Sequence, residues 1–404
     1  MKTILSMAAA VTFAVTTAHA QAPATVFEGG RVIVGDGRVI DNATIVVRGD
    51  RITQVGSAAS VKAPAGATRI SLAGKTVMPA LVDTHVHTST TAPELATDLK
   101  QRAYFGVGAA MSLGLDGTDA PFAQRAKVTP GLARFFLAGR GITSPEKGRT
   151  EVPFWITSED QARKAVQELA AKKVDIVKIW VDDRNGQYVK LSPPLYQAVI
   201  DEAHRHKLRV TAHIFALDDA KGLLRAGIDA FAHGIRDRDL DDELIALFKA
   251  RPNVVLVPNL PDRGVAVDYS WLRGSISDGE LQKLQAGATN RPAVAETFGI
   301  QARNLAKLSA AGVRIAMGTD GNTPWAPHVE MADMVASGMT PAQVIVASTR
   351  NSADFIRLPN TGTIEAGKTA DLLVLDANPL DDITNTRKIS AVYLRGQAVD
   401  RKAQ

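Results

Sequence analysis

The segment Asp83-Thr84-His85-Val86-His87 sets two histidines one residue apart, directly after the apolar run Val77-Met78-Pro79-Ala80-Leu81-Val82. In an extended strand, side chains i and i+2 share a face. Both imidazoles therefore reach one point at the end of a single strand. Four further residues suited to metal chemistry follow, each in or at the end of a short β-like run. They are Lys178 (IVKIW), His213 (VTAHIF), His233 (AFAHGI) and Asp320 (IAMGTD). Residues so far apart in the chain make one site only in a fold that gathers many strand ends at one place.

The stretch from about 76 to 358 has the pattern for such a fold. Candidate strands at 77–83, 106–112, 134–140, 174–181, 209–215, 229–233, 254–260 and 313–318 alternate with helical patterns. Among the latter are the amphipathic runs Ser158–Lys172 and Pro194–His206, and Ser158 with Gln161 has the form of a capping box. Eight such repeats point to an α/β protein with a (β/α)8 TIM barrel over 76–358, its active site at the C-terminal strand ends. The irregular stretch 261–290 reads as a long loop above the barrel. Residues 21–75 and 359–404 are strand-like and punctuated by turns such as Gly35-Asp36-Gly37 and Gly49-Asp50. They are expected to build one small β-sandwich domain from both termini.

Residues 1–20 have the form of a secretory signal peptide: Lys2, an apolar stretch from Ile4 to Val15, then Ala18-His19-Ala20. A secreted protein follows, with a bacterial periplasm as the expected location. No later segment is long and apolar enough to span a membrane, so no membrane partner is expected. The chain has no cysteine, which excludes disulfides, thiolate zinc ligands and a lipid anchor on cysteine. The formal charge of +5 is scattered, with no basic stripe interleaved with aromatics, and no nucleic-acid partner is expected. A homo-oligomer is compatible with the sequence.

The imidazole and carboxylate donors suit divalent zinc, with manganese, iron or cobalt as substitutes. A lysine ammonium is a poor ligand. A lysine buried beside cations is neutral, however, and can take up carbon dioxide as a carbamate that bridges two ions. The apolar neighbours Ile176, Val177 and Ile179 argue that Lys178 is buried.

This set, with the closing segment Gly362-Thr363-Ile364-Glu365-Ala366-Gly367-Lys368-Thr369-Ala370-Asp371-Leu372, resembles the amidohydrolase superfamily over nearly the whole chain. The run from Ala212-His213 to Phe231-Ala232-His233-Gly234 is similar to the imidazolonepropionase-related and prolidase-like branch. The resemblance implies that His85, His87 and Asp320 hold one metal ion and His213 and His233 a second, with carboxylated Lys178 bridging them. It further implies a metal-activated water as nucleophile, with Asp320 as general base and then acid.

Substrate contacts are expected from Trp180 and Phe215, which share strand faces with Lys178 and His213, and from Trp155 and Trp325. Each of these is either a core residue or a wall for an apolar or aromatic substrate moiety. His328 either orients substrate or caps structure. Arg140, Lys147 and Arg149 either bind a substrate carboxylate or lie on a solvated loop. The turn Gly139-Arg140-Gly141 departs from the Gly-Gly-His of many prolidase-like relatives, which counts against plain Xaa-Pro cleavage. The expected activity is hydrolysis of an amide in an N-acyl amino acid, dipeptide or aryl amide. Ester, lactone or carbamate hydrolysis at the same site is the alternative. Others are a mononuclear deaminase or cyclic amidase, against which Lys178 argues, and a non-catalytic periplasmic metal or ligand binder.

Overall fold

A computed structural model describes residues 23–402; the segment 1–20, expected to be a signal peptide, lies outside the described residues. The apolar run at 77–83 is split by function. Thr76–Pro79 pairs antiparallel with Leu372–Leu375 in a sheet made from the two ends of the chain, whereas Leu81–Val86 starts the central unit. Between them Ala80 N–H donates to the Asp371 carbonyl. One hydrophobic run thus supplies the strand that joins the two units.

The terminal sheet has eight strands. Its long first strand, Ala24–Ile33, pairs with Thr68–Ser71 along one half and with Thr76–Pro79 along the other. The changeover falls at Gly29 and Gly30, where the register shifts against Val39–Arg48 and Gly29 takes φ +86°. Glycine is needed at such a bulge because it adopts positive φ without a Cβ penalty. All these strands belong to one hydrogen-bonded sheet. Phe27, Val32, Ile45, Val47, Val77, Leu372 and Val374 form its buried face.

The central unit is TIM-barrel-like and consists of two parallel arcs. Leu81–Val86, Val107–Ser112 and Arg134–Leu137 form one. Val177–Val181, Val210–Ile214, Ala230–Ala232, Val255–Val257 and Arg314–Ile315 form the other, extended by Ile142–Thr143 and Phe154–Trp155. The arcs meet through isolated hydrogen bonds: Asp175 N–H to the Leu137 carbonyl on one side, Thr84 N–H to the Met317 carbonyl on the other. The ladder breaks there because the adjoining strands are short and the chain turns sharply after Gly318. Small and β-branched residues fill the inside of the arcs, among them Ala109, Ile176, Ala230, Ala232, Val255, Val257 and Ala316. Helices Glu159–Ala171, Pro193–Arg205, Leu217–Ala226 and Asp242–Lys249 pack side by side on the outside.

Two local expectations are revised. Ser158 does accept the N–H of Gln161, but Gln161 Oε1 accepts from Thr157 N–H instead of from Ser158, so the reciprocal half of the cap is shifted by one residue. The stretch 261–290 is not all loop. Ser277 caps a helix over Asp278–Gly287, after a 3-10 turn at Ser270–Leu272. Among the described residues no helix is long and apolar enough to cross a membrane.

Asp371 fastens the two units. Its carboxylate accepts Arg134 at 2.6 Å and the backbone N–H of Arg395 at 2.7 Å, and both side chains of the ion pair are largely buried. Removing one partner of such a pair leaves a buried charge alone, at a cost of about 3–5 kcal/mol. Asp371→Ala is therefore expected to lower the chemical unfolding midpoint by a corresponding amount. An unchanged midpoint would show that the sheet is held by its apolar face only.

Candidate metal centre

His85 and His87 stand at the end of strand Leu81–Val86, and Lys178 lies inside Val177–Val181. His213 is in Val210–Ile214, His233 follows Ala230–Ala232 directly, and Asp320 ends the segment after Arg314–Ile315. Parallel pairing stacks these positions: Trp180 is registered with His213, and His213 with Ala232. The far ends of the arcs close on each other through Asp320 N–H, which donates to the His85 carbonyl at 2.8 Å. The Asp320 carboxylate then lies 3.0 Å from His85 Nε2, 2.9 Å from His87 Nε2 and 3.2 Å from His233 Nε2. Ligand atoms of His85, His233 and Asp320 lie within 4.8 Å of one another, a spacing that one ion can bridge.

The chemistry of these donors fits a cation. Asn259 Oδ1 is 2.9 Å from His85 Nδ1. A carbonyl oxygen only accepts, so Nδ1 carries the proton and Nε2 presents a lone pair to Asp320. Burial, followed by the Lys178 charge, pushes His85 down to about 3, and burial pushes His233 down to about 4. Neutral imidazole lone pairs facing a carboxylate repel it unless a cation sits between them. Burial raises Asp320, and positive charge on the facing rings, His85 foremost, or a cation in its place is what brings the group well below the usual carboxylate range. Neither ring nitrogen of His233 has a hydrogen-bond partner.

Lys178 is fully buried, and its Nζ lacks a hydrogen-bond partner. Burial lowers it to about 7, with Asp320 opposing and Arg184 reinforcing the shift. The lysine is thus substantially neutral near pH 7, as an amine must be to act as a nucleophile. Trp180 covers it, with the ring centre 5.4 Å from Nζ. The indole lies flat against backbone, so a Cβ at Gly141 would stand 2.0 Å from the ring and one at Gly114 2.4 Å from it.

A model of the amidohydrolase family matches residues 76–399. The chain belongs to the amidohydrolase family. An uncharacterized protein of Mycobacterium tuberculosis is 30% identical over 274 residues, covering 66% of this chain and 69% of its own. Ochratoxinase of Aspergillus niger is 25% identical, with 92% and 85% covered. The crystal structure of a Bifidobacterium longum protein, provisionally assigned as a prolidase, superposes with a TM-score of 0.79. It is 27% identical, with 95% and 96% of the two chains covered. By family the protein is a hydrolase of carbon–nitrogen amide bonds, and members of the family usually bind metal ions.

In this amidohydrolase His213 is engaged differently from the other candidate ligands. Its Nε2 is 2.9 Å from Asp182 Oδ2 and 3.1 Å from the Arg184 guanidinium, which also bonds Asp182 at 2.8 Å and Glu146 at 3.4 Å. Its ring remains stacked edge-on with His233, at 4.4 Å between centres. We did not expect Asp182 or Arg184 from sequence. Yet Asp182 continues the alternation Lys178, Trp180, Asp182 on one strand face, and that period was its signal. Asn259, the partner of His85, carried no pattern of its own.

The expected substrate residues divide. Phe215 flanks the cluster, with the Arg236 guanidinium 5.1 Å above its ring. Trp155 is half-buried on the edge strand Phe154–Trp155. Arg140 is occupied: it donates to the carbonyls of Val152 and Pro153 and stacks on Phe154, holding its own loop. Trp325 and His328 lie apart from the histidines. Trp325 packs edge-on against Phe105 and lines a cavity of about 540 Å³ with Asp98, Tyr104, Ser275 and Asn322, none of them a candidate ligand. His328 is buried between the Phe105 carbonyl and the Thr386 hydroxyl, so it braces structure.

Groups that orient a metal ligand usually change metal affinity about 10- to 100-fold when removed. Asn259→Ala is expected to weaken metal binding within that range, as read by chelator competition. Affinity equal to that of the unmodified protein would show that His85 keeps its orientation without Asn259.

Proposed function

We propose that this amidohydrolase is secreted and uses two divalent ions, zinc foremost, to hydrolyse the amide bond of an N-acyl amino acid, dipeptide or aryl amide. His85, His87 and Asp320 would hold one ion, and His213 and His233 the other, with Lys178 as a carbamate between them. The observation that carries this reading is Lys178, buried without a partner and shifted toward neutrality, close enough for its charge to act on His85, His213 and His233. The charged start, apolar stretch and Ala18-His19-Ala20 of residues 1–20 support secretion. On the same reading, the two arcs are one closed (β/α)8 barrel and the terminal sheet is a folded β-sandwich.

Ions bound there supply Lewis-acid polarisation and a lowered pKa for water. The chain's own residues do the rest. Asp320 is ionised and lies within 3.2 Å of three imidazoles, which places it to accept a proton from attacking water and return it to the leaving nitrogen. Asn259 sets the tautomer of His85 so that Nε2 faces inward. Trp180 keeps solvent from the lysine. Imidazolonepropionase of Deinococcus radiodurans, 26% identical with 90% of this chain and 93% of its own covered, and ochratoxinase support carbon–nitrogen cleavage. The departure at Gly139-Arg140-Gly141 supports a substrate other than a plain Xaa-Pro dipeptide.

A single-ion reading draws support from His213, which faces Asp182 and Arg184 while His85, His233 and Asp320 converge without it. Elemental mass spectrometry of protein purified without chelator and supplied with bicarbonate separates the two. About two ions per chain are expected on the binuclear reading, falling to about one or fewer in Lys178→Ala because ligand loss removes the bound ion. One ion per chain in both proteins would establish the single-ion reading. Asp320→Asn is expected to keep metal and lose kcat by about 10²- to 10⁴-fold on amide substrates, the range for a positioned acid–base group. Unchanged kcat would remove Asp320 from proton transfer.

A further inference from the structure

Arg236 lies three residues beyond His233, where the chain leaves strand Ala230–Ala232. Its backbone N–H donates to the Phe215 carbonyl and one guanidinium nitrogen to the Ile214 carbonyl at 3.1 Å, so the side chain lies across the end of the His213 strand. The guanidinium carbon lies over the Phe215 ring, 5.1 Å from its centre. Burial lowers its pKa, while the charges of Asp182 and Asp320 raise it and that of Arg184 lowers it further. Among the described residues it forms no ion pair, and its Nε is buried without a hydrogen-bond partner. The neighbouring carboxylates are taken. Asp182 is bonded to Arg184 and His213, and Glu146 to Arg149 and Arg184.

A part-buried guanidinium without a counter-ion is poorly compensated. Its planar fork is the side chain best matched to a carboxylate, and Phe215 holds it in one orientation before any ligand arrives. We propose that Arg236 is the specificity residue that receives a carboxylate of the substrate, with Phe215 as its platform. This rests on the amide-hydrolase reading and narrows it to N-acyl amino acids and dipeptides, away from uncharged aryl amides. It also moves the carboxylate contact away from Arg140 and Arg149, which the fold occupies with Val152, Phe154 and Glu146.

The test is titration calorimetry on the metal-loaded full chain with L-phenylalanine and L-phenylalaninol, which differ in the carboxylate and contain no amide. A charge-assisted pair predicts that phenylalanine binds about 10- to 100-fold more tightly. That preference should collapse to within about twofold in Arg236→Met and be only partly kept in Arg236→Lys, whose ammonium cannot fork. Metal content and melting temperature are measured alongside, because a merely structural arginine would shift the melting temperature and weaken both ligands alike. No binding of either ligand, equal binding by the unmodified chain, or a preference that survives Arg236→Met would overturn the assignment. An Arg236-dependent preference in a chain that turns over no amide would leave the assignment standing and overturn the hydrolase reading. Turnover without the preference would do the reverse.

Discussion

The site depends on holding the end of the first central strand against the end of the last, and one carboxylate does this. Asp83 is completely buried, and accepts hydrogen bonds from His85 N–H at 3.3 Å, Thr319 N–H at 3.2 Å and the Thr319 hydroxyl at 2.8 Å. Arg102, buried as well, lies 3.3 Å away and reaches on to the Gly321 carbonyl and Asn322. Burial raises Asp83 to about 6, with Arg102 foremost among the opposing influences. A pair this deep contributes little net stability over an apolar substitute. Its role is geometric: it brackets Asp320, with a bond to the residue before it and another to the residue after it. The aspartate of the Asp-Thr-His-Val-His segment is therefore as much part of the site as the histidines, although it contributes no ligand.

That bracket makes unfavourable backbone conformations tenable. His233, Asn259 and Asp320 all have positive φ, at 81°, 44° and 54°. Each stands where a parallel strand ends and the chain must turn its side chain into the mouth. Asparagine and aspartate accept this conformation more readily than histidine, so His233 bears the largest local strain. Neighbouring strands hold it, through His233 N–H to the Val257 carbonyl and Gly234 N–H to that of Pro258. Strain collected at ligand positions and held by surrounding hydrogen bonds is what a preorganised site requires.

The sequence exposed the parts of this arrangement that obey strand periodicity. Of the residues read from strand periodicity, His85, His233 and Asp320 converge in the structure and His87 joins them through Asp320, while His213 faces Asp182 and Arg184. What stayed hidden depends on where the chain goes after a strand ends. Trp325 and His328 follow Asp320 closely in sequence, but the left-handed turn at Asp320 carries the chain outward, to Phe105 and Thr386. Arg140 looked available because the backbone carbonyls it would meet, twelve and thirteen residues later, belong to a loop without a pattern. The apolar run at 77–83 gave no sign that its two halves serve different sheets, since both halves are buried and buried strands look alike.

Charge balance links the site to its ligands. The mouth collects Arg184 and Arg236 around neutral imidazoles, and the carboxylates that face them are already engaged with Arg184, Arg149 or His213. On the proposed function, metal ions at the histidines would add further positive charge in a place screened from water. Positive potential at a buried mouth attracts anionic ligands and raises their local concentration. It also favours the negative charge that builds up on an amide oxygen under attack, because dipoles and cations already in place need not reorganise. On the roles proposed for them, the arginines and the histidine cluster would act in the same direction, one group holding the end of a substrate and the other the bond to be broken. Phe215 joins them, two residues along the chain from His213 and stacked beneath Arg236.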